Sequence, residues 1–169
     1  YYGQAENQTT MLGGDVLHGY GYTGKGVHVA IFDGGFSNVY RMPVFDSIFK
    51  TNRLLGTHDF VEGDDFVYES SSHGTDVLSC MGAKTPHLLV GTAPDASFYL
   101  FKTEDVQGEF RIEEFNWVSA LEYSDSIGVE VINSSLGYTG FNDTTMSYKY
   151  YQLDGKTAIC FAVQLIIFI

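Results

Sequence analysis

One stretch constrains the fold more than any other. Val27-His28-Val29-Ala30-Ile31-Phe32 runs almost continuously apolar for the length of a strand and stops abruptly at Asp33-Gly34-Gly35. Successive side chains of a strand point to opposite faces, so a run apolar at both parities has to be covered on both sides, as in the middle of a parallel sheet. Ser97-Phe98-Tyr99-Leu100-Phe101-Lys102-Thr103 reads as a second strand, and Val129-Glu130-Val131-Ile132-Asn133-Ser134 as a third, also buried. Between them lie two helical patterns. The first begins near Ser72, with Ser71 or Ser72 as cap and Val77, Leu78 and Met81 on one apolar face. The second covers residues 109–126, with Ile112, Phe115, Val118 and Leu121 on one face and Gly128 ending it. The order strand, helix, strand, helix, strand predicts an α/β domain, a parallel sheet flanked by helices on both faces and incomplete at its C-terminal end. Residues 1–169 read as one unit without internal repeats, opened by an irregular lead-in, residues 1–25, rich in Gly, Gln, Asn and Thr.

Composition supports a packed core and narrows the partners. A hydrophobic content of 44% with 13 Phe and 12 Tyr excludes a disordered chain. Acidic residues outnumber basic ones 21 to 9, for a net charge of -12, which disfavours nucleic acid and anionic membranes as partners. Cys80 and Cys160 are too few and too far apart for a disulfide framework or metal cluster, and Cys80, inside an apolar helical pattern, reads as a buried structural thiol. The apolar tail, residues 158–169, is shorter than the roughly 18 residues that a membrane span needs.

Chemistry concentrates where the first strand ends. In an open parallel sheet ligands gather at the carboxyl ends of strands, and Asp33 sits at such an end. A carboxylate there needs a partner to stay ionised, and a histidine is suited to it, because the aspartate then fixes the tautomer and supports the imidazolium. Of His18, His28, His58, His73 and His87, His73 stands out by opening a helix, where the dipole favours the neutral ring that acts as a base. Gly74, next to it, leaves the other side of the ring open. Taken singly, an Asp ending a strand is most often a turn former and a His at a helix start a cap.

Four segments together resemble one family, the subtilases, or subtilisin-like serine peptidases. Val29-Ala30-Ile31-Phe32-Asp33-Gly34-Gly35 resembles its aspartate motif, and His73-Gly74-Thr75-Asp76-Val77, forty positions on, its His-Gly-Thr-x-Val motif. Gly91-Thr92-Ala93-Pro94-Asp95-Ala96 resembles its Gly-x-Ala-Pro turn, and Val131-Ile132-Asn133-Ser134-Ser135-Leu136-Gly137 the strand whose Ser-Leu-Gly backbone pairs with substrate. The resemblance implies a subtilisin-like fold and hydrolysis of peptide bonds by an Asp-His-Ser triad. Asp33 would orient His73, and His73 would serve as general base and then acid. Ser135, Leu136 and Gly137 would bind an extended peptide and wall the pocket beside the cut. The opposite wall would come from residues 104–108, where Glu104 and Asp105 would favour basic side chains upstream of the cut.

The sequence departs from the pattern in places. Gly34 stands where the family has Thr, Ser or Ala, which keeps the turn permissive. Leu78-Ser79 replaces a small Ala-Gly pair. No Gly-Thr-Ser-x-Ala string and no Ser-x-Gly-Asn segment occurs, so the nucleophile and the oxyanion asparagine are missing and this chain alone is expected to be inactive. After Asp154-Gly155-Lys156-Thr157 the likeness stops, and residues 158–169 read as an aberrant tail, from a changed reading frame or an artificial end, with a buried strand or helix as the alternative. A catalytically inactive peptide-binding remnant is the competing reading. A metal hydrolase using Asp33, His58, Asp59 and His73 lacks ligand spacing. No cofactor is required for the implied catalysis. Structural calcium is common in the family, but Glu62-Gly63-Asp64-Asp65 lacks regular ligand spacing and reads as a solvated turn. The implied partners are a peptide or protein substrate, with no nucleic acid and no membrane span, the complete protein being a monomer that is secreted or at the cell surface.

Overall fold

A computed structural model describes residues 1–152 and 154–167. The opening segment is more ordered than its composition predicts, with two short helices, α1 (Glu6–Met11) and α2 (Gly14–Gly19). Helices of six residues are too short to show an apolar period, and tertiary contacts hold them. Tyr2 and Thr9 are buried, and His18 Nε2 lies 2.9 Å from the Thr92 carbonyl.

Strand β1 (His28–Asp33) follows, then α3 (Asp46–Lys50) and β2 (Leu54–Asp59). Helix α4 (His73–Gly82) leads into a small antiparallel pair, β3 (Lys84–Thr85) and β4 (Leu89–Val90). Strand β5 (Ser97–Lys102), helix α5 (Ile112–Ser126), strand β6 (Val131–Ser134) and helix α6 (Ala158–Ile167) complete the order. The main sheet runs β2-β5-β1-β6 with every neighbouring pair parallel. Sequence pattern does not reveal β2, because Gly56, Thr57, His58 and Asp59 interrupt its apolar residues.

The two-sided burial expected of β1 is realised. Val29 and Ile31 pack with Phe36, Ile48, Leu78, Phe98 and Leu100 on one face. Ala30 and Phe32 pack with Phe101, Trp117, Ala120, Leu121 and Ala162 on the other. Helix α4 serves the first layer, and α5 with α6 the second.

Four expectations need correction. Strand β6 is half-exposed rather than buried, with Asn133 only partly covered, because it pairs with β1 alone among the described residues and so forms an edge. Helix α5 begins at Ile112 and keeps only part of its expected face inward: Leu121 is buried and Val118 packs on the second layer, but Ile112 and Phe115 are 59% and 57% exposed, while Glu113, Glu114, Trp117, Ala120 and Ser124 are buried. Two carboxylates take inward positions because donors meet them there. Glu113 accepts the Asp105 and Phe110 backbone N–H groups at 3.0 and 2.9 Å, and Glu114 the Tyr148 hydroxyl at 2.9 Å. Cys80 is exposed. It lies two residues beyond the buried Leu78, about 200° around the helix, so it points away from the core. Gly74, finally, does not open space beside His73; its role belongs to the site.

Candidate active site

Strand β1 lies between β5 and β6, with Asp33 opposite Lys102 and Phe32 opposite Ser134. The chain therefore leaves β5 through Thr103 and Glu104 on one side of Asp33, and leaves β6 through Ser135 and Leu136 on the other. The Thr103 N–H donates to the Asp33 carbonyl at 3.0 Å and holds the first exit close.

Asp33 is 1% exposed, and its Oδ2 lies 2.8 Å from His73 Nδ1, while the imidazole itself is 55% exposed. With the carboxylate ionised, Nδ1 is the donor and Nε2 is left as a base facing outward. Burial pushes the Asp33 carboxyl above its ordinary value; the Gly34 N–H, His73 and the Gly74 N–H pull the other way. The Gly34 N–H reaches Oδ1 at 2.8 Å, so both carboxylate oxygens are engaged.

The residues around His73 act as a unit. Ser72 is the N-cap by position, but its side chain makes no capping bond; the Ser71 hydroxyl, one residue earlier, accepts the His73 N–H at 3.0 Å. The Gly74 N–H donates to the Gly35 carbonyl at 3.1 Å, and a Cβ on Gly74 would stand 2.5 Å from that oxygen and 2.7 Å from the Phe36 ring. Glycine is needed so that α4 can approach the β1 exit, which is what brings the imidazole to Asp33. The Thr75 hydroxyl then donates to the Ser37 carbonyl at 2.9 Å. Gly34 also has a spatial role, since a Cβ there would meet Val106 Cγ1 at 2.7 Å. Val106 fills the volume that a side chain at position 34 would take.

Asp33 and His73 form the floor of a cleft of about 310 Å³. Glu104, Asp105 and Val106 wall it on one side, and Ser135, Leu136 and Gly137 on the other. Glu109 and Glu113 add carboxylates from α5 and its lead-in. The Tyr138 hydroxyl hydrogen-bonds Glu104 Oε1 from the opposite wall, and the Thr103 hydroxyl reaches the same oxygen at 2.9 Å. Burial foremost, with Glu113 and Glu109 adding to it, raises Glu104 to about 7. Tyr138 is raised in turn, by burial and then by Glu104. Val106 falls within the expected wall, residues 104–108, whereas Glu113 in the cleft and Tyr138 behind Glu104 carry no motif signal in the sequence, and only the fold brings them there.

His58 and Asp59 do not join this site, because β2 is separated from β1 by β5. Asp59 is buried against Lys102 at 2.7 Å, and His58 pairs with Asp65 at 2.9 Å. Among the described residues no group of three or more His, Cys, Asp or Glu could hold a metal ion, and no helix is long and apolar enough to cross a membrane.

A carboxylate fixing one imidazole nitrogen at the carboxyl edge of a parallel sheet, between two walls, is an arrangement of the kind that triad hydrolases use for their acid–base half. Comparison with known proteins narrows the class: residues 24–165 match the Subtilase family (Peptidase_S8), and the chain belongs to it. It is 34% identical to Subtilisin E of Bacillus subtilis over 124 residues, 72% of this chain and 29% of that protein. The Subtilisin-like protease SBT6.1 of Arabidopsis thaliana is 27% identical over 157 residues, 92% of this chain and 14% of that protein. The chain thus spans well under half the length of these relatives. Among solved structures, the Clostridium perfringens CspB protease superposes with a TM-score of 0.61 at 15% identity, covering 89% of this chain and 36% of that one. A lanthipeptide protease gives 0.56 at 24% identity, over 75% and 34%. These two likenesses support the fold.

Proposed function

We propose that this chain is the aspartate- and histidine-bearing part of a serine endopeptidase, and that by itself it hydrolyses no peptide. The observation that carries the reading is the 2.8 Å contact between His73 Nδ1 and the buried Asp33 carboxylate at the floor of the cleft. Asp33 holds the imidazole in the tautomer that leaves Nε2 basic. Nε2 would take the proton of a serine hydroxyl as it attacks the scissile carbonyl, then return it to the leaving amine. The nucleophile is the missing part. Among the described residues no hydroxyl hydrogen-bonds Nε2; the Ser71 hydroxyl oxygen accepts the His73 N–H, and the Ser135 hydroxyl oxygen accepts from Asn133 Nδ2 at 3.0 Å. The substrate would be an extended peptide of a secreted or cell-surface enzyme that acts as a monomer.

A fluorophosphonate probe tests this, because it labels only a serine activated by an adjacent base. The expected result is no labelling and no hydrolysis of a chromogenic peptide by this chain. Labelling that disappears in His73→Ala would overturn the missing-nucleophile reading.

A second reading, a peptide-binding remnant, is favoured by the segment after β6. Ser135 and Gly137 are exposed, and residues 135–137 make no backbone hydrogen bond to another segment among the described residues. Their N–H and C=O groups are free to pair with an added strand.

A further inference from the structure

The charge of the cleft is one-sided. Glu104, Asp105, Glu109 and Glu113 line it together with Asp33, and among the described residues no lysine or arginine does. Among the described residues none of those four glutamate and aspartate side chains enters an ion pair.

These carboxylates are not equivalent. Glu113 has both oxygens occupied by backbone N–H groups, and Asp105 Oδ1 accepts the Gln107 N–H at 3.0 Å. Glu104 is held differently. Both of its hydroxyl donors, Tyr138 from the far wall and Thr103 from its own segment, fall on Oε1. Oε2 has no partner among the described residues, yet the only buried side-chain oxygen lacking one there is Glu114 Oε1. Oε2 of Glu104 is therefore open to solvent, within a residue that lines the cleft. One oxygen is anchored across both walls and the other is presented.

Building on the peptidase reading of this cleft, we propose that Glu104 is its specificity-determining residue and that Oε2 receives the protonated side chain of a lysine or arginine in the bound peptide. An acidic side chain would meet five carboxylates without a counter-cation. An apolar one would strip water from Glu104 and return nothing. A cation offers Oε2 a charge-assisted hydrogen bond and relieves the repulsion from Glu109 and Glu113.

The same geometry makes the preference respond to pH. Glu104 sits near 7, so a growing share is ionised as pH rises through neutrality, and the attraction for a cation rises with it. The groups facing it are Asp33 at the end of β1, His73 at the start of α4, Asp105 on its own segment, Glu109 and Glu113 from α5 and its lead-in, and Tyr138 opposite. The wild-type trend is therefore compared with that of a Glu104 variant.

The test uses the chain as it is. Dye-labelled short peptides carrying one lysine at successive positions, and matched peptides with norleucine instead, are titrated by fluorescence anisotropy. At about pH 8.5 the best lysine peptide is expected to bind about tenfold more tightly than its norleucine match, the scale of one hydrogen bond to a charged group, and at about pH 5.5 the gap narrows. Glu104→Gln is expected to bring the ratio close to one. Equal binding of all matched pairs at the higher pH overturns the inference while leaving the peptide cleft standing, and so does a ratio that survives in Glu104→Gln. Binding of no peptide at all overturns the peptide-cleft reading and this inference with it. Where Glu104→Gln fails to fold, Glu104→Ala takes its place, and in the wild type a lysine preference that does not grow with pH overturns the inference by itself.

Discussion

Asp33 and Glu104 are two carboxylates of one cleft, both raised by burial, and the molecule treats them in opposite ways. Asp33 is sealed from solvent and spends its two oxygens on a backbone N–H and an imidazole that can accept positive charge. Glu104 is only half-buried, and its partners are neutral hydroxyls that cannot offset a negative charge. Each also faces different neighbours: Asp33 has His73, whereas Glu104 has Glu113 and Glu109. Burial alone does not decide what a carboxylate does. A partner able to become a cation makes it an anchor for acid–base chemistry, while hydroxyls and like charges leave it near its titration point, ready for an external cation.

The dyad floor and the acidic wall are expected to differ in rigidity as well, and Gly74→Ala is the most severe way to test that. Its Cβ would press on the Gly35 carbonyl and the Phe36 ring, neither of which is the far end of a flexible chain. The expected loss is about 3 kcal/mol, or about 6–12 °C in Tm, together with loss of the downfield His73 Nδ1 proton signal. A variant of unchanged Tm that keeps the signal would show that the dyad floor yields as readily as the acidic wall.

A smaller effect sharpens the contrast from the Glu104 side. In the unfolded chain this carboxyl titrates at its ordinary value of 4.5, and in the folded chain at about 7. Between those limits the folded state holds a proton that the unfolded state has released, so stability is lost as pH rises through the window. The Tm difference between the wild type and Glu104→Gln should therefore shift by a few degrees from pH 4.5 to pH 7, against the wild type. A difference that stays flat across the window would break the assignment. The mildest test is Ser71→Ala, which removes the hydroxyl that receives the His73 N–H; a loss of about 0.5–1 kcal/mol by thermal unfolding is expected. A much larger loss would mean that Ser71 does more than accept that N–H.

Much of the dyad floor is legible in the sequence. Residues 29–33 have to be covered on both faces, and a strand of that kind ending in Asp places a carboxylate at the ligand-binding edge of a parallel sheet. His73-Gly74-Thr75 is contiguous, so its local logic survives in the sequence. The purpose of Gly74 does not, since a steric requirement between α4 and Gly35 leaves no trace in either segment alone. The acidic wall is far less legible. Glu104 and Asp105 stand out as charges, but Tyr138 lies 34 positions further on and meets Glu104 only because β5 and β6 flank β1. Helix α5 misleads for a related reason. Its inward glutamates meet donors at Asp105, Phe110 and Tyr148, and a hydropathy period cannot register a hydrogen bond to a residue elsewhere in the chain.

By itself the sequence determined the α/β class, the two-sided burial of β1, the family, and the identity of Asp33 and His73 as a pair. These rest on patterns confined to short contiguous segments, where side-chain alternation and motif spacing carry the information. Only the tertiary structure decided that Cys80 faces outward, that β6 is a half-exposed edge, that Val106 fills the space beside Gly34, and that Glu104 is anchored by one oxygen and open at the other. Each of these depends on which distant segment packs against which, and strand order sets that through the burial of both faces of the sheet at once.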